Sequence, residues 1–219
     1  MKYYRIRHSH KEIGLKFPQV ETGIGDFNVN HPSYIGSETF FLSKIKNIPI
    51  LPELVLYKSA NLTDLISSSF MGTGSGLILS NKLYSLIYKY TDNTQQFFKI
   101  KLHHKNIACN EYWYLHPSIT NNELIDFSKS EIWELHALEK NEKREFKDLN
   151  EFNEELKTTK YPKMLSIDKY VLNQNITEFF ILNFIEGGIG FFVSKKLKNE
   201  IEEAGCTGIV FTEPNERYP

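Results

Sequence analysis

Only a few residues of this 219-residue chain have types and spacing that could do chemistry. Cys109 stands near His103, His104 and His116, and a thiolate beside an imidazole is the minimum for nucleophilic catalysis. These four residues define one reading, a small hydrolase or transferase. Against it, no activating partner sits at a fixed spacing from the thiol, and a small unreactive Cys is the commoner case. His103 and His104 are adjacent, so on a strand they point to opposite faces and cannot share a metal. His8 and His10 could share a face, yet no Cys, Asp or Glu accompanies them at ligand spacing. In Met71-Gly72-Thr73-Gly74-Ser75-Gly76 and Gly187-Gly188-Ile189-Gly190 the glycines lead into apolar, strand-like runs. A phosphate loop needs a helix to open directly at its glycines, so both stretches read as turns. Tyr112-Trp113-Tyr114 has the composition of a stacking platform for single-stranded nucleic acid, but an alternating strand turns part of such a triplet into the core. The acidic pairs Glu154-Glu155 and Glu202-Glu203 lie on helical patterns whose other face is apolar, which makes them solvated surface. The expectation is no catalytic residue, no cofactor-binding residue, no metal ligand and no cofactor.

Bulk properties narrow the class. The hydrophobic share of 41% with 24% charged residues is that of an ordinary globular chain, here read as one domain over 1–219. A formal charge of −1 argues against a general nucleic-acid partner, which needs a basic excess. Two cysteines in a chain of this size do not make a disulfide scaffold. Met1 to His10 is basic and polar, without the apolar core of a signal peptide, and no run is long enough to span a bilayer. A cytoplasmic protein with no membrane partner is expected.

The elements that must position any site follow from patterning. Phe191 to Val193 reads as a buried strand, Ser194 as a helix N-cap, and Leu197, Ile201 and Ala204 recur at helical spacing up to the αL stop at Gly205. Ile209 to Phe211 then forms a second strand. The same phrase occurs earlier: Gly74 to Ile87 aligns without gaps on Gly188 to Ile201, matching Ser80 with Ser194, Leu83 with Leu197 and Ile87 with Ile201. Lys2 to His8, Glu53 to Tyr57, Gln95 to His103, Glu111 to His116 and Thr177 to Ile185 read as further strands, Lys163 to Leu172 includes another short one, and Lys105-Asn106 begins the connection of an antiparallel pair between Gln95–His103 and Glu111–His116. Asn61 to Ile66 reads as a short helix or turn, Leu124 to Ile132 as a strand ending in a turn, and Glu139 to Thr159 as an amphipathic helix. Residues 1–70 are less regular, and Phe17 to Ser37 in particular lacks periodicity. Lys2, Arg5, Arg7, Lys11 and Lys16 form a local positive patch against Glu12. The fold class is α+β, mostly antiparallel, with a strand-helix-strand unit used twice, at about 74–100 and 188–211.

One ordered set of phrases adds a further reading. It runs Leu77-Ile78-Leu79-Ser80 with Lys82-Leu83, Gln96-Phe97-Phe98, Glu111 to Leu115, Ile125-Asp126-Phe127-Ser128-Lys129-Ser130-Glu131-Ile132, Phe192 to Leu197, and Ala204-Gly205-Cys206-Thr207-Gly208-Ile209-Val210-Phe211. Over residues 75–211 this resembles the immunity proteins of bacterial polymorphic toxin systems, the type-eleven family and its type-forty-three relatives, once catalogued as a domain of unknown function. Asp126 to Ser130 and the closing Gly-Cys-Thr-Gly-Ile-Val-Phe carry it most specifically. The resemblance implies a non-enzymatic protein whose partner is a cognate toxin domain encoded beside it. Its shared residues look structural: Ser80 and Ser194 as caps, Thr207-Gly208 as a turn, Asp126 and Ser130 closing another. The partner-binding residues stay unassigned; the regions considered for contact are Phe17 to Ser37 and the charged Glu139 to Lys160 stretch.

Overall fold

The computed structural model of the chain describes residues 2–37, 40–70, 73–91, 93–173, 177–186 and 188–216. Among these, thirteen strands and three helices build two mixed sheets, an α+β fold. The strands are β1 (Tyr3–His8), β2 (Val20–Ile24), β3 (Glu53–Leu56), β4 (Leu65–Ile66), β5 (Leu77–Ser80), β6 (Gln96–His104) and β7 (Ile107–His116), then β8 (Glu131–His136), β9 (Glu139–Arg144), β10 (Lys163–Lys169), β11 (Phe179–Ile185), β12 (Gly188–Ser194) and β13 (Ile209–Thr212). The helices are α1 (Asn81–Tyr88), α2 (Leu149–Thr158) and α3 (Lys195–Glu203). One sheet has the order β2-β3-β6-β7-β5-β4 and the other β13-β1-β12-β11-β10-β8-β9. Most registers are antiparallel; β3 with β6 and β10 with β11 are parallel. Two compact units result, one of Met1–Arg5, Thr120–Lys195 and Thr212–Pro219, the other of Ile6–Ile119 and Lys196–Phe211. They interleave along the sequence, so no single cut separates them.

The strand-helix-strand phrase is present twice, as β5-α1-β6 and β12-α3-β13, in different sheets and each time with one strand between its two strands. The likeness reaches further back than Gly74 and Gly188. Thr63-Asp64-Leu65-Ile66 and Thr177-Glu178-Phe179-Phe180 both open a hairpin. Leu65 faces Leu79 and Ile66 faces Ile78, as Phe179 faces Val193 and Phe180 faces Phe192. Thr63 Oγ1 donates to the Leu65 carbonyl at 2.8 Å, and Thr177 Oγ1 to that of Phe179 at 2.8 Å. Ser80 and Ser194 each donate a hydroxyl proton to a carboxylate 16 residues upstream, Asp64 and Glu178. The strand order β6-β7-β5-β4 in one sheet corresponds to β13-β1-β12-β11 in the other, so β1 stands where β7 does. Gly76 and Gly190 are matched for a steric reason. A Cβ at Gly76 would strike the Leu115 carbonyl and the Tyr114 ring, and one at Gly190 would strike Ile185 and Phe192 and press on Arg5.

In the first unit, Phe127, Ile132, Phe152, Ile167, Phe180, Leu182 and Phe192 form the centre of the core. Three expectations change here and in the second unit. Asn61 to Ile66 is not helical, because Leu65 and Ile66 pair with β5. Leu124 to Ile132 holds two 3-10 turns, Asn122–Leu124 and Phe127–Lys129, before β8 begins. Glu139 to Thr159 is a strand and then a helix. Asp148 caps α2 by accepting the amides of Asn150 (2.9 Å) and Glu151 (3.0 Å), so Phe146 lies before the helix and meets Phe152 edge-on. Residues 139–143 are exposed on both faces of β9, which leaves no alternation to betray a strand. Glu134, 4% exposed, ties this corner together through Lys163 (2.9 Å) and Arg144 (3.4 Å), and Arg144 continues to Glu155 at 2.8 Å on α2. Lys163 first and then Asn141 hold the Glu134 carboxyl below its usual range, against the opposing effect of burial.

The β8–β9 turn is Ala137-Leu138, both at positive φ (50° and 74°), where a two-residue hairpin favours Asn-Gly. Leu138 is 75% exposed, so no packing offsets the strain. Replacing the pair, Ala137→Asn with Leu138→Gly, should raise unfolding stability by about 1 kcal/mol, read as a higher urea midpoint at unchanged slope.

Candidate functional site

The Cys109 thiol bonds to no imidazole among the described residues, although His104, paired with Ile107, lies on the same face of the sheet. Cys109 pairs across the sheet with Leu102 and packs against the second unit's core, its Sγ directed to the Ile107 carbonyl at 3.9 Å. His103, one residue from Leu102, takes the opposite face of β6 and meets Glu53 Oε2 at 2.6 Å; Lys101 reaches Glu53 Oε1 at 3.1 Å. His116 is buried with Nε2 2.9 Å from the Ser43 carbonyl oxygen. Neither cysteine is in a disulfide. Burial, with the Asp64 charge second, pushes the Cys206 thiol up to about 11, so it stays protonated. The aromatic triplet is spent inside the fold as well: Tyr112 and Tyr114 are buried, and Trp113 stacks on Tyr84 of α1 at 4.2 Å. Of the two glycine stretches, Met71, Gly72 and Gly187 lie outside the described residues; Gly76 and Gly188 to Gly190 enter β5 and β12. Among the described residues no group of three His, Cys, Asp or Glu side chains could hold a metal ion, and no helix is long and apolar enough to cross a membrane.

Polar residues of the family resemblance gather at two places. At the first, in the second unit, Ser80, Lys82 and Thr207 meet Asp64, which lies outside the resembling stretch. Its Oδ1 accepts the Ser80 hydroxyl at 2.6 Å, and its Oδ2 accepts the Thr207 amide (2.8 Å) and hydroxyl (3.1 Å) and faces Lys82 Nζ at 3.2 Å. Its backbone carbonyl takes the Ser80 amide at 2.7 Å. Ser80 Oγ in turn accepts the Leu83 amide at 3.2 Å and so caps α1. Burial works to raise the Asp64 pKa, but these donors outweigh it and hold the carboxyl below its usual range. Gly208 follows at φ +80°, where a side chain would strike Thr63 and the Leu65 carbonyl; only glycine fits the turn.

The second place is an open cleft of about 530 Å³ in the first unit, lined by Phe127, Ser128, Lys129, Lys143, Phe146 and Lys147, together with Ser130, Glu145 and Glu151. Asp126 organises the Phe127 side: its carboxylate takes the Ser128 hydroxyl (2.7 Å) and the Lys129 ammonium (2.6 Å), and its carbonyl takes the Ser130 hydroxyl (2.7 Å). Ser130 Oγ also accepts the Val171 amide at 3.0 Å, which ties the turn to a segment 41 residues away. Glu151 Oε2 accepts the Lys147 amide at 2.7 Å. Neither Lys143 nor Lys147 is in an ion pair among the described residues; the cleft presents their ammonium groups, with the Glu145 and Glu151 side chains also in its lining, beside buried Phe127 and Phe146. The cleft joins the Asp126 phrase to the Glu139–Lys160 region considered for contact, which sequence alone could not bring together. In the other such region, Phe17 is exposed, whereas Tyr34 is buried and Phe27 is stacked on it at 5.8 Å.

No family model and no curated protein matches the chain.

Two measurements test this reading of the charged groups. Asp64→Ala should cost about 2–3 kcal/mol in chemical denaturation and Ser80→Ala about 1 kcal/mol, since the first strands several charge-assisted donors and the second removes one cap. On the pH axis, burial lowers His8 to about 4 and shifts His116 in the same direction. The unfolded chain then binds more protons than the folded one as pH falls from the ordinary imidazole range toward 4, and stability drops across that window. His8→Gln should flatten that slope. The loss carried by Asp64 comes lower, as pH falls through its depressed folded value.

Proposed function

We propose that the chain is a non-enzymatic immunity protein that binds and neutralises a cognate toxin domain of a bacterial polymorphic toxin system, acting in the cytoplasm with no nucleic acid or membrane as its partner. The observation that carries the reading is the placement of Asp126 to Ser130. This most specific stretch of the resemblance lines an open cleft and is braced there by its own side chains. Such a wall is preorganised, which lowers the entropic cost of docking a protein surface against it. Two other shared residues support the frame: Ser80 and Thr207 both bond to Asp64, which leaves them little capacity for a ligand. A chain of this size also offers room for a standard interface of about 1,600 Å² in total.

The test is co-expression with the C-terminal domain encoded by the adjacent reading frame, with growth scored in parallel. The expected result is a one-to-one complex and rescued growth. Absence of both a complex and any relief of toxicity would sink the reading.

A further inference from the structure

Between β1 and β2 the chain makes a loop that is pinned at both ends, with an apolar tip left in water. At the first end the Ser9 amide donates to the Gly208 carbonyl (2.9 Å), and Glu12 Oε2 accepts the Gly208 amide (2.5 Å). Asn61 reinforces this, donating its amide to the Ile13 carbonyl (3.0 Å) and its side chain to that of Glu12 (2.7 Å), while Ile13 is buried. At the far end Gln19 is fully buried. Its side chain accepts the Ser67 amide (2.9 Å) and donates to the Asn61 carbonyl (2.7 Å), and its carbonyl takes the Tyr57 amide (3.0 Å). Gly14, at φ +99° and bridged to Ala60, turns the chain outward; a Cβ there would strike the backbone of Ser59.

What this frame holds out is Leu15-Lys16-Phe17. Leu15 is 89% exposed and Phe17 54%, although burying either side chain is worth about 1.5–3 kcal/mol. Phe17 is nonetheless fixed, stacked on His10 at 4.4 Å with the His8 ring edge-on at 6.2 Å. Lys16 lies over the Tyr57 ring at 4.4 Å. The nearby acid, Glu12, is engaged by the Gly208 amide, while Lys11, Lys16 and Lys58 form no ion pair among the described residues. A Phe17 fixed by its ring contacts, with exposed Leu15 and Lys16 next to it, has the make-up of an interface anchor.

We infer that Leu15 and Phe17 dock into an apolar socket on a protein partner whose rim is acidic, matching Lys11, Lys16 and Lys58. The inference rests on the immunity reading, which makes the toxin domain the occupant. Complementary charge of this kind steers association, and the anchors slow release.

The experiment measures binding of the full chain to the toxin domain from the adjacent reading frame, in low and high salt. The variants are Leu15→Ser, Phe17→Ser and the pair Lys11→Glu with Lys16→Glu. Leu15→Ser should weaken binding about tenfold at unchanged melting temperature, mainly through faster release. Phe17→Ser should act likewise. The charge pair should slow association about tenfold and flatten its salt dependence. A wild-type chain that binds as tightly as all three variants overturns the anchor and leaves the immunity reading standing. No wild-type binding overturns both. Co-sedimentation with phosphatidylglycerol vesicles, lost in Leu15→Ser, would replace the acidic protein socket with an anionic membrane and so overturn the inference.

Discussion

A half-buried carboxylate that gathers its donors from distant parts of the chain constrains the second unit. Asp64 takes a hydroxyl from the start of α1, an ammonium from the first turn of that helix, and an amide and hydroxyl from the turn before β13. Removing water from a charge is costly unless hydrogen bonds replace it, and here they hold the group ionised. The geometry that satisfies the charge is also the geometry that sets α1 and Thr207-Gly208. The other copy of the phrase repeats the device with Glu178 and Ser194. The longer side chain does the same work 16 residues before its serine, as Asp64 does before Ser80. A conserved packing solution of this sort explains why the phrase can be recognised twice although its apolar residues differ, Leu and Ile in one copy, Phe and Val in the other.

How much of this was legible in the sequence depended on whether a local pattern carried the decision. Both strand-helix-strand phrases were readable because the apolar period and a flanking signal, the Ser80 cap in one and Gly205 at positive φ in the other, agree along a short stretch; the antiparallel pairing of β6 with β7 was readable too, although β7 begins at Ile107 and not at Glu111. β9 was not readable. Its residues face water on both sides, and Phe146, Leu149, Phe152 and Leu156 keep helical spacing across the capping residue Asp148. β4 was missed because two residues show no period; only their register with β5 defines them. At the site, Asp126 and Ser130 were expected to close a turn by side-chain bonds to backbone amides; instead the Ser130 hydroxyl donates to the Asp126 carbonyl, and the Asp126 carboxylate holds Ser128 and Lys129. That Lys143 and Lys147 face the same cleft depends on a hairpin and a helix cap together, and neither spacing nor composition encodes that meeting. Leu15 was invisible for another reason: burial is decided by Gly14, Ala60 and Asn61, and an isolated Leu in a loop reads the same whether it points in or out.

The molecule spends its unusual residues on rigidity rather than on reactivity. Buried Gln19 satisfies a loop end, buried Glu134 fastens a hairpin to a helix through Arg144, and Arg5 donates to the carbonyls of Glu186 (2.9 Å) and Ile189 (3.2 Å). The expected positive patch at the start of the chain is therefore smaller than its sequence. Arg5 is drawn inward, while Lys11 and Lys16 remain at the surface. Buried polar groups with every partner in place specify one arrangement among the compact alternatives. Such a scaffold can hold exposed apolar side chains without collapsing onto them.

The substitution of β1 for a strand like β7 has a consequence for biosynthesis. Arg5 bonds to Ile189, 184 residues away, so during synthesis β1 must wait for its sheet partners to be made. At about 5–20 residues per second that delay is roughly 10–40 s. During it, Tyr3, Tyr4 and Ile6 are an unpaired, aromatic-rich edge. The charges that alternate with them, Lys2, Arg5 and Arg7, then act as gatekeepers against premature pairing with other chains.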